Sequence, residues 1–134
     1  MANVLYDKGR EGFLDGSIDW DTDDIRVCLV ASAYTFSAAH EDMADIGAND
    51  NGRSAALGSK TVTAGVADAA DTSLTATAAV ACEALVVFQH TGVDATARLI
   101  AYIDTPTSGL PFTPSAGQTV NIAWDAGANK IFKL

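Results

Sequence analysis

Short runs of apolar or threonine-rich residues, broken by turns of Gly, Asn, Asp and Pro, make up most of this 134-residue chain. In residues 25–30 the side chains of Ile25, Val27 and Leu29 alternate with their neighbours, so they share one face of a predicted strand. Residues 83–88 are almost all apolar, which is typical of a strand that is covered on both faces. The pattern therefore predicts a chain built mainly of strands.

Further strands are predicted where the same pattern returns between turn residues. They cover residues 53–57 and 60–66 as a hairpin around Gly58-Ser59, then 73–80, 98–103, 120–124 and a last strand that ends at Leu134. Asp50-Asn51-Gly52 predicts a tight turn before the hairpin, and residues 40–46 predict a helical turn or two. All three prolines fall in one loop after residue 103, which predicts a shaped surface loop.

The chain begins with a predicted short helix over residues 4–15. Asn3 can cap its start, and Gly16 suits its end. Its two internal glycines, Gly9 and Gly12, cost about 1 kcal/mol each in an isolated helix. We therefore expect this helix to pack closely on the sheet or on a neighbouring subunit.

These elements together predict an all-β fold. About eight or nine strands at a spacing of about ten residues, mostly in hairpins, favour an antiparallel β-sandwich or barrel with a short N-terminal helix. The length predicts one domain over residues 1–134, which can bury roughly two thirds of its unfolded surface.

Charge and cysteine content exclude several classes of function. The formal net charge is −9 and no cluster of Lys or Arg is present, so nucleic-acid binding is not expected. No apolar stretch approaches the roughly 20 residues of a membrane helix, and the first residues have no signal-peptide pattern, so we expect synthesis in the cytoplasm. Cys28 and Cys82 lie in apolar runs, which favours buried thiols over the alternative of a single cross-link.

The acidic segment at residues 19–24 imitates the start of a calcium-binding loop. In an EF-hand a Gly would stand at Asp24 and a Glu at Val30, so that motif fails at two positions. A looser calcium site stays open as an alternative to a polar turn that carries Trp20 toward the core.

Signatures of catalysis are also missing. A zinc-protease helix beginning at His40 would need a second His at Ala44, and no Gly-x-Ser-x-Gly nucleophile elbow is present. Asp68 and Asp71 form a pair of acids, but no aromatic platform for a sugar lies near them in the sequence. We therefore predict a protein that is not an enzyme, with no catalytic residues, no cofactor and no metal site.

Several stretches of the chain resemble a family of small structural proteins from the virions of tailed bacteriophages. They are LYDKGREGFL at 5–14, IDW at 18–20, AYTFSAAH at 33–40, KTVTAGVADA at 60–69, residues 98–105, and GANKIFKL at 127–134. The resemblance implies a virion component made in many copies. The favoured position is the head surface, as a decoration or cement protein that binds the lattice of the major capsid protein and stabilises the head.

The same resemblance implies the partners. They are the major capsid protein or other virion proteins, together with further copies of this chain, a trimer on local threefold axes being favoured. A tail-associated protein (tube, terminator or baseplate component) is the main alternative, and a receptor- or glycan-binding module is a weaker one. The predicted contact residues are Leu5, Tyr6 and Phe13 near the start, Asp19 and Asp21 in the acidic turn, and Leu110, Pro111 and Phe112 in the proline loop.

Overall fold

The computed structural model describes residues 3–134, which form ten strands and two α-helices. The strands are β1 (Val4–Leu5), β2 (Ile25–Ala31), β3 (Asp50–Arg53), β4 (Thr61–Thr63), β5 (Val66–Asp68), β6 (Thr72–Thr75), β7 (Cys82–Gln89), β8 (Leu99–Ile103), β9 (Thr119–Ile122) and β10 (Phe132–Lys133). The helices are α1 (Asp7–Asp15) and α2 (Met43–Ile46), with 3₁₀ turns at Gly47–Asn49 and Asp94–Thr96.

The strands form three antiparallel sheets. The largest has the order β1-β8-β7-β2-β3, a second has the order β10-β5-β4, and β6 pairs with β9. The prediction of a mostly antiparallel β-protein with an N-terminal helix is therefore confirmed. The barrel alternative is wrong, because no sheet within residues 3–134 closes on itself.

The five-stranded sheet is covered on both faces. One face contributes to the main core, in which residues from all three sheets meet, including Ile25, Val27, Leu29, Leu85, Val87, Leu74, Ala67 and Ile122. The opposite face forms a second core with α2 and the segment before it, including Tyr6, Cys28, Val30, Tyr34, Met43, Ile46, Val86 and Phe88. Strands β2 and β7 lie in the middle of the sheet and are almost completely buried, as their apolar sequences predict.

The N-terminal helix begins later than the sequence predicts. Val4 pairs with Tyr102 and Leu5 with Ala101, so this segment is an edge strand before the helix starts at Asp7. Asn3 does not cap the helix, because its Oδ1 accepts hydrogen bonds from the backbone N–H groups of Asp104 (3.1 Å) and Thr105 (3.0 Å). The predicted end at Gly16 is confirmed, with a left-handed φ of 78°.

The predicted turn at residues 50–52 is wrong. These residues belong to β3, which pairs with β2 across an irregular register. Asp50 Oδ1 accepts a hydrogen bond of 2.9 Å from the N–H of Gly52, so the side chain makes a local Asx-type contact without turning the chain back. These turn-forming residues thus lie within an irregular strand and do not reverse the chain.

The hairpin predicted around Gly58-Ser59 is instead formed around the next turn, between β4 and β5. Residues 54–57 form no regular strand, although the N–H groups of Ser54 and Leu57 each donate to β2 at 2.8 Å. The hairpin joins β4 to β5 through Ala64 and Gly65, which have φ values of 54° and 77°. A two-residue turn with two successive positive φ values fits the right-handed twist of the strands on either side of it.

Strand β6 ends at Thr75, earlier than the predicted limit of residue 80. The backbone leaves the strand because the N–H of Ala78 donates to Oδ1 of the buried Asn51 at 2.8 Å. Val80, at the predicted end of the strand, lies outside β6 and is 42% exposed. In the predicted strand 120–124, Val120, Ile122 and Trp124 all pack on the main core, although β9 ends at Ile122.

Candidate functional site

The predicted contact residues near the start of the chain lie mostly inside the protein. Leu5 is buried in the main core and Tyr6 is fully buried in the second core. The hydroxyl of Tyr6 lies 3.0 Å from that of Tyr34, which lies 2.6 Å from Nδ1 of His40. Burial, with the Tyr34 hydrogen bond, raises the pKa of Tyr6 well above its ordinary value. Of the three residues only Phe13 reaches the surface, where it is half-buried.

The acidic turn carries its tryptophan inward and its carboxylates outward. Trp20 is buried, and its indole N–H donates to the carbonyl of Asp68 at 3.1 Å. Asp23 Oδ2 accepts from the N–H of Asp19 (2.8 Å) and from Nε2 of Gln89 (2.7 Å), which ties the turn to the end of β7. The interpretation as a polar turn that places Trp20 in the core is confirmed.

Asp19 and Asp21 are both exposed on this turn and interact with each other. A side-chain hydrogen bond between them lowers the pKa of Asp19 and raises that of Asp21. Within residues 3–134, no three His, Cys, Asp or Glu side chains come together as a group that could hold a metal ion. The turn is thus an exposed pair of acids that share hydrogen bonds.

The proline loop is attached to the body of the protein at Phe112. Its N–H donates to the carbonyl of Cys82 at 3.0 Å, and the N–H of Cys82 donates back to the carbonyl of Phe112 at 2.8 Å. Leu110 and Phe112 are half-buried and pack against the main core, whereas Pro111 is exposed. Of the predicted contact residues in this loop, Pro111 is the one that faces outward.

A groove runs between the proline loop and β9. Its volume is about 420 Å³, with Ser108, Leu110 and Phe112 on the loop side, Val120 and Asn121 on the strand side and Leu85 from the large sheet. The side of β9 away from β6 has no strand partner within residues 3–134. The groove therefore combines apolar side chains with a strand edge that can still form hydrogen bonds.

A second surface was predicted only at Phe13. Around the end of α1 and β10, Leu14 is 89% exposed, Leu134 60% and Val62 56%, next to the half-buried Phe13 and Phe132. We call these five residues the α1–β10 surface. The signal in the sequence is Leu14, which lies off the helix face that Gly9 and Phe13 share at a spacing of four and so points away from the sheet.

The thiol of Cys28 and the guanidinium of Arg53 both make contacts that hold the fold together. Cys28 is buried in the second core, where burial and the nearby Asp50 raise the pKa of its thiol. Arg53 bonds Asp50 at 2.6 Å, bonds Asp94 at 3.0 Å and stacks over the ring of Phe88 at 5.2 Å, which fastens β3 to the turn before β8. These contacts give each group a structural role.

Comparison of the chain with protein-family models, with curated proteins and with solved structures gives no match. Within residues 3–134, no helix has the length and apolar character needed to cross a membrane. The surfaces described above are therefore interpreted from their own residues.

Proposed function

We propose that this protein is a non-enzymatic structural component of a tailed-bacteriophage virion, a decoration protein that binds the capsid lattice and stabilises the head. The resemblance of its first and last segments to such proteins supports this assignment. The arrangement of the sheets also suits it, if the two small sheets are regarded as one layer of a β-sandwich that faces the five-stranded sheet across the main core. A body with two cores presents its loops in constant positions to a repeating partner.

The groove beside the proline loop is the observation that carries this proposal. The two hydrogen bonds between Phe112 and Cys82 hold the loop in place, so its outward residues are ordered before a partner arrives. Binding then costs less conformational entropy than it would for a mobile loop. An extended segment of a capsid subunit fits such a site, because it can add to the free edge of β9 and place apolar side chains in the groove.

Head binding can be measured with purified heads that lack this protein. We expect the added protein to sediment with heads at a constant ratio to the capsid subunit and to raise the temperature at which the heads release DNA. Each contact needs only modest affinity, since many identical sites act together on one particle.

A charged side chain in the groove should abolish this binding. Ser108→Arg places a bulky cation where a partner segment would lie, and Ser108 is exposed, so the fold is expected to be unchanged. Ala56→Arg adds the same side chain at an exposed position outside the groove and should bind heads like the unchanged protein. Equal binding by both variants, or attachment to tails and not heads, would contradict the proposal.

A further inference from the structure

The exposed apolar residues of this protein are concentrated in one place. Five large apolar side chains are exposed within residues 3–134, and three of them, Leu14, Val62 and Leu134, belong to the α1–β10 surface. Single exposed apolar residues are ordinary, but a contiguous group rimmed by charges marks an interaction site. Phe13 and Leu134 connect the group, because both line the two hollows that open on this surface.

The surface contains a protrusion and a cavity side by side. Leu14 projects from the end of α1, and its side chain is 89% exposed. Next to it lies a hollow of about 240 Å³, lined by Phe13, Ile18, Trp20, Val62, Phe132 and Leu134. A hollow of this size and lining accepts a branched aliphatic side chain. Leu14 and the hollow are therefore complementary in shape and in polarity, although they belong to the same surface.

Opposite charges flank the two features. A separate hollow, which Leu14 itself lines, is also lined by Arg10 and Lys133. Neither of these two bases has an ion-pair partner within residues 3–134. Asp19 lines the hollow of about 240 Å³ described above, and Asp21 is exposed in the same turn as Asp19. The hollow at the Leu14 end is thus lined by bases and the hollow at the other end by an acid, in a protein whose overall charge of −9 would otherwise oppose self-association.

We propose that the α1–β10 surface binds the same surface of a second copy about a twofold axis. Leu14 of each protomer enters the hollow of the other, and the basic end of each faces the acidic end of its partner. A twofold contact requires one self-complementary patch, whereas a threefold ring requires two different patches on each protomer. Protrusion, hollow and both charges lie on one surface, so the contact is of the twofold kind. This inference is independent of the proposed role in a virion.

The first test measures mass in solution by sedimentation equilibrium over a wide range of concentrations. We expect the unchanged protein to approach twice its 13.8 kDa mass as its concentration rises. Leu14→Ser should weaken association at least tenfold without changing the circular dichroism spectrum, because the side chain is almost fully exposed. Val93→Ser removes an apolar residue that is 57% exposed elsewhere and should leave association unchanged.

The second test reverses the charges. A variant with Arg10→Glu and Lys133→Glu is acidic at both ends of the surface, and one with Asp19→Lys and Asp21→Lys is basic at both ends. Each variant alone should be monomeric, whereas an equimolar mixture should form a heterodimer in native mass spectrometry, weakened by added salt. A monomeric unchanged protein at every concentration, a mass three times that of the chain, or a mixture that stays monomeric would each overturn the proposal.

Discussion

Gly9 lies directly against the backbone of Ile100, so closely that a Cβ atom on Gly9 would stand 2.8 Å from the Cα of Ile100. The glycine that weakens α1 as an isolated helix is what allows the helix to rest on β8. Gly12 faces a side chain instead, and a Cβ there would meet Cδ1 of Ile18 at 2.4 Å.

Gly9→Ala should therefore destabilise the protein, even though Ala favours a helix by about 1 kcal/mol. The clash is with backbone, which cannot rotate away, and we expect the free energy of unfolding to fall by about 1–3 kcal/mol in urea denaturation. Gly58→Ala is the control, because Gly58 has open space around it and an ordinary φ, and it should be neutral or slightly stabilising. A stabilised Gly9→Ala variant would show that α1 does not pack on β8 as described.

Asn51→Leu should be strongly destabilising. The Asn51 side chain is 2% exposed, donates to the carbonyl of Ala78 (3.1 Å) and to Sγ of Cys82 (3.2 Å), and accepts from Thr77 Oγ1 (2.9 Å) and the Ala78 N–H (2.8 Å). Leucine of similar size leaves these groups without partners, at a cost of about 1–3 kcal/mol for each buried group that stays unsatisfied. The exposed Asn121, changed to Ala, should alter the free energy of unfolding by less than about 0.5 kcal/mol.

The stability of the protein should fall in alkali. Burial raises the pKa of all three tyrosines, that of Tyr102 to about 12 and those of Tyr6 and Tyr34 in the same direction. An unfolded tyrosine titrates near about pH 10, so the native state holds these protons more tightly than the unfolded state. Their stabilising effect is complete below about pH 10 and is lost as the pH rises through the native pKa values.

Spectrophotometric titration of tyrosinate measures this effect directly. In the native protein the signal should appear above about pH 10 and coincide with loss of the folded circular dichroism spectrum, whereas in urea it should appear near about pH 10. Tyr102→Phe should shift alkaline unfolding to higher pH, since one of the raised groups is gone. Free titration of all three tyrosines in the folded protein near pH 10 would contradict the described burial.

Both cysteines should resist thiol reagents in the native state. Cys28 and Cys82 are free and buried, and they belong to the second core and the main core respectively, on opposite faces of the large sheet. That placement prevents a disulfide within the protomer, so the prediction of buried thiols is confirmed. We expect two thiols to react with a colorimetric disulfide reagent in denaturant and neither to react quickly without it. Rapid reaction of one thiol in the folded protein would place it at the surface.

The strands of the sheet interior were predictable from the sequence, and the turns were less so. Strands β2, β7 and β8 are long apolar runs whose burial dominates their free energy, so the pattern alone identifies them. The segment Asp50–Gly52 was misread because Asn and Asp stabilise turns through local hydrogen bonds, whereas Asn51 here bonds to a segment 27 residues away. The residues around Asn51 in the sequence do not indicate such a distant hydrogen-bond partner.

The candidate surfaces were predicted only in part. Pro111, Asp19 and Asp21 are exposed as expected, but Leu5 and Tyr6 are buried because residues before the helix form an edge strand against β8. A hydrophobic residue near a terminus looks the same in the sequence whether it packs inward or outward. Apart from Phe13, the α1–β10 surface was not predicted for a related reason, since Val62 and Leu134 come together with Leu14 only when β4, β5 and β10 are assembled.

The central strand pair has a consequence for how the protein is made. Strand β2 ends at Ala31, but the neighbour that covers its full length, β7, begins at Cys82. During synthesis the backbone N–H and C=O groups of β2 have no strand partner in β7 until that segment has left the ribosome. Pairing between segments so distant in sequence slows folding. Truncated chains that stop before β7 should therefore be degraded or aggregate, because β2 would lack the strand that covers its full length.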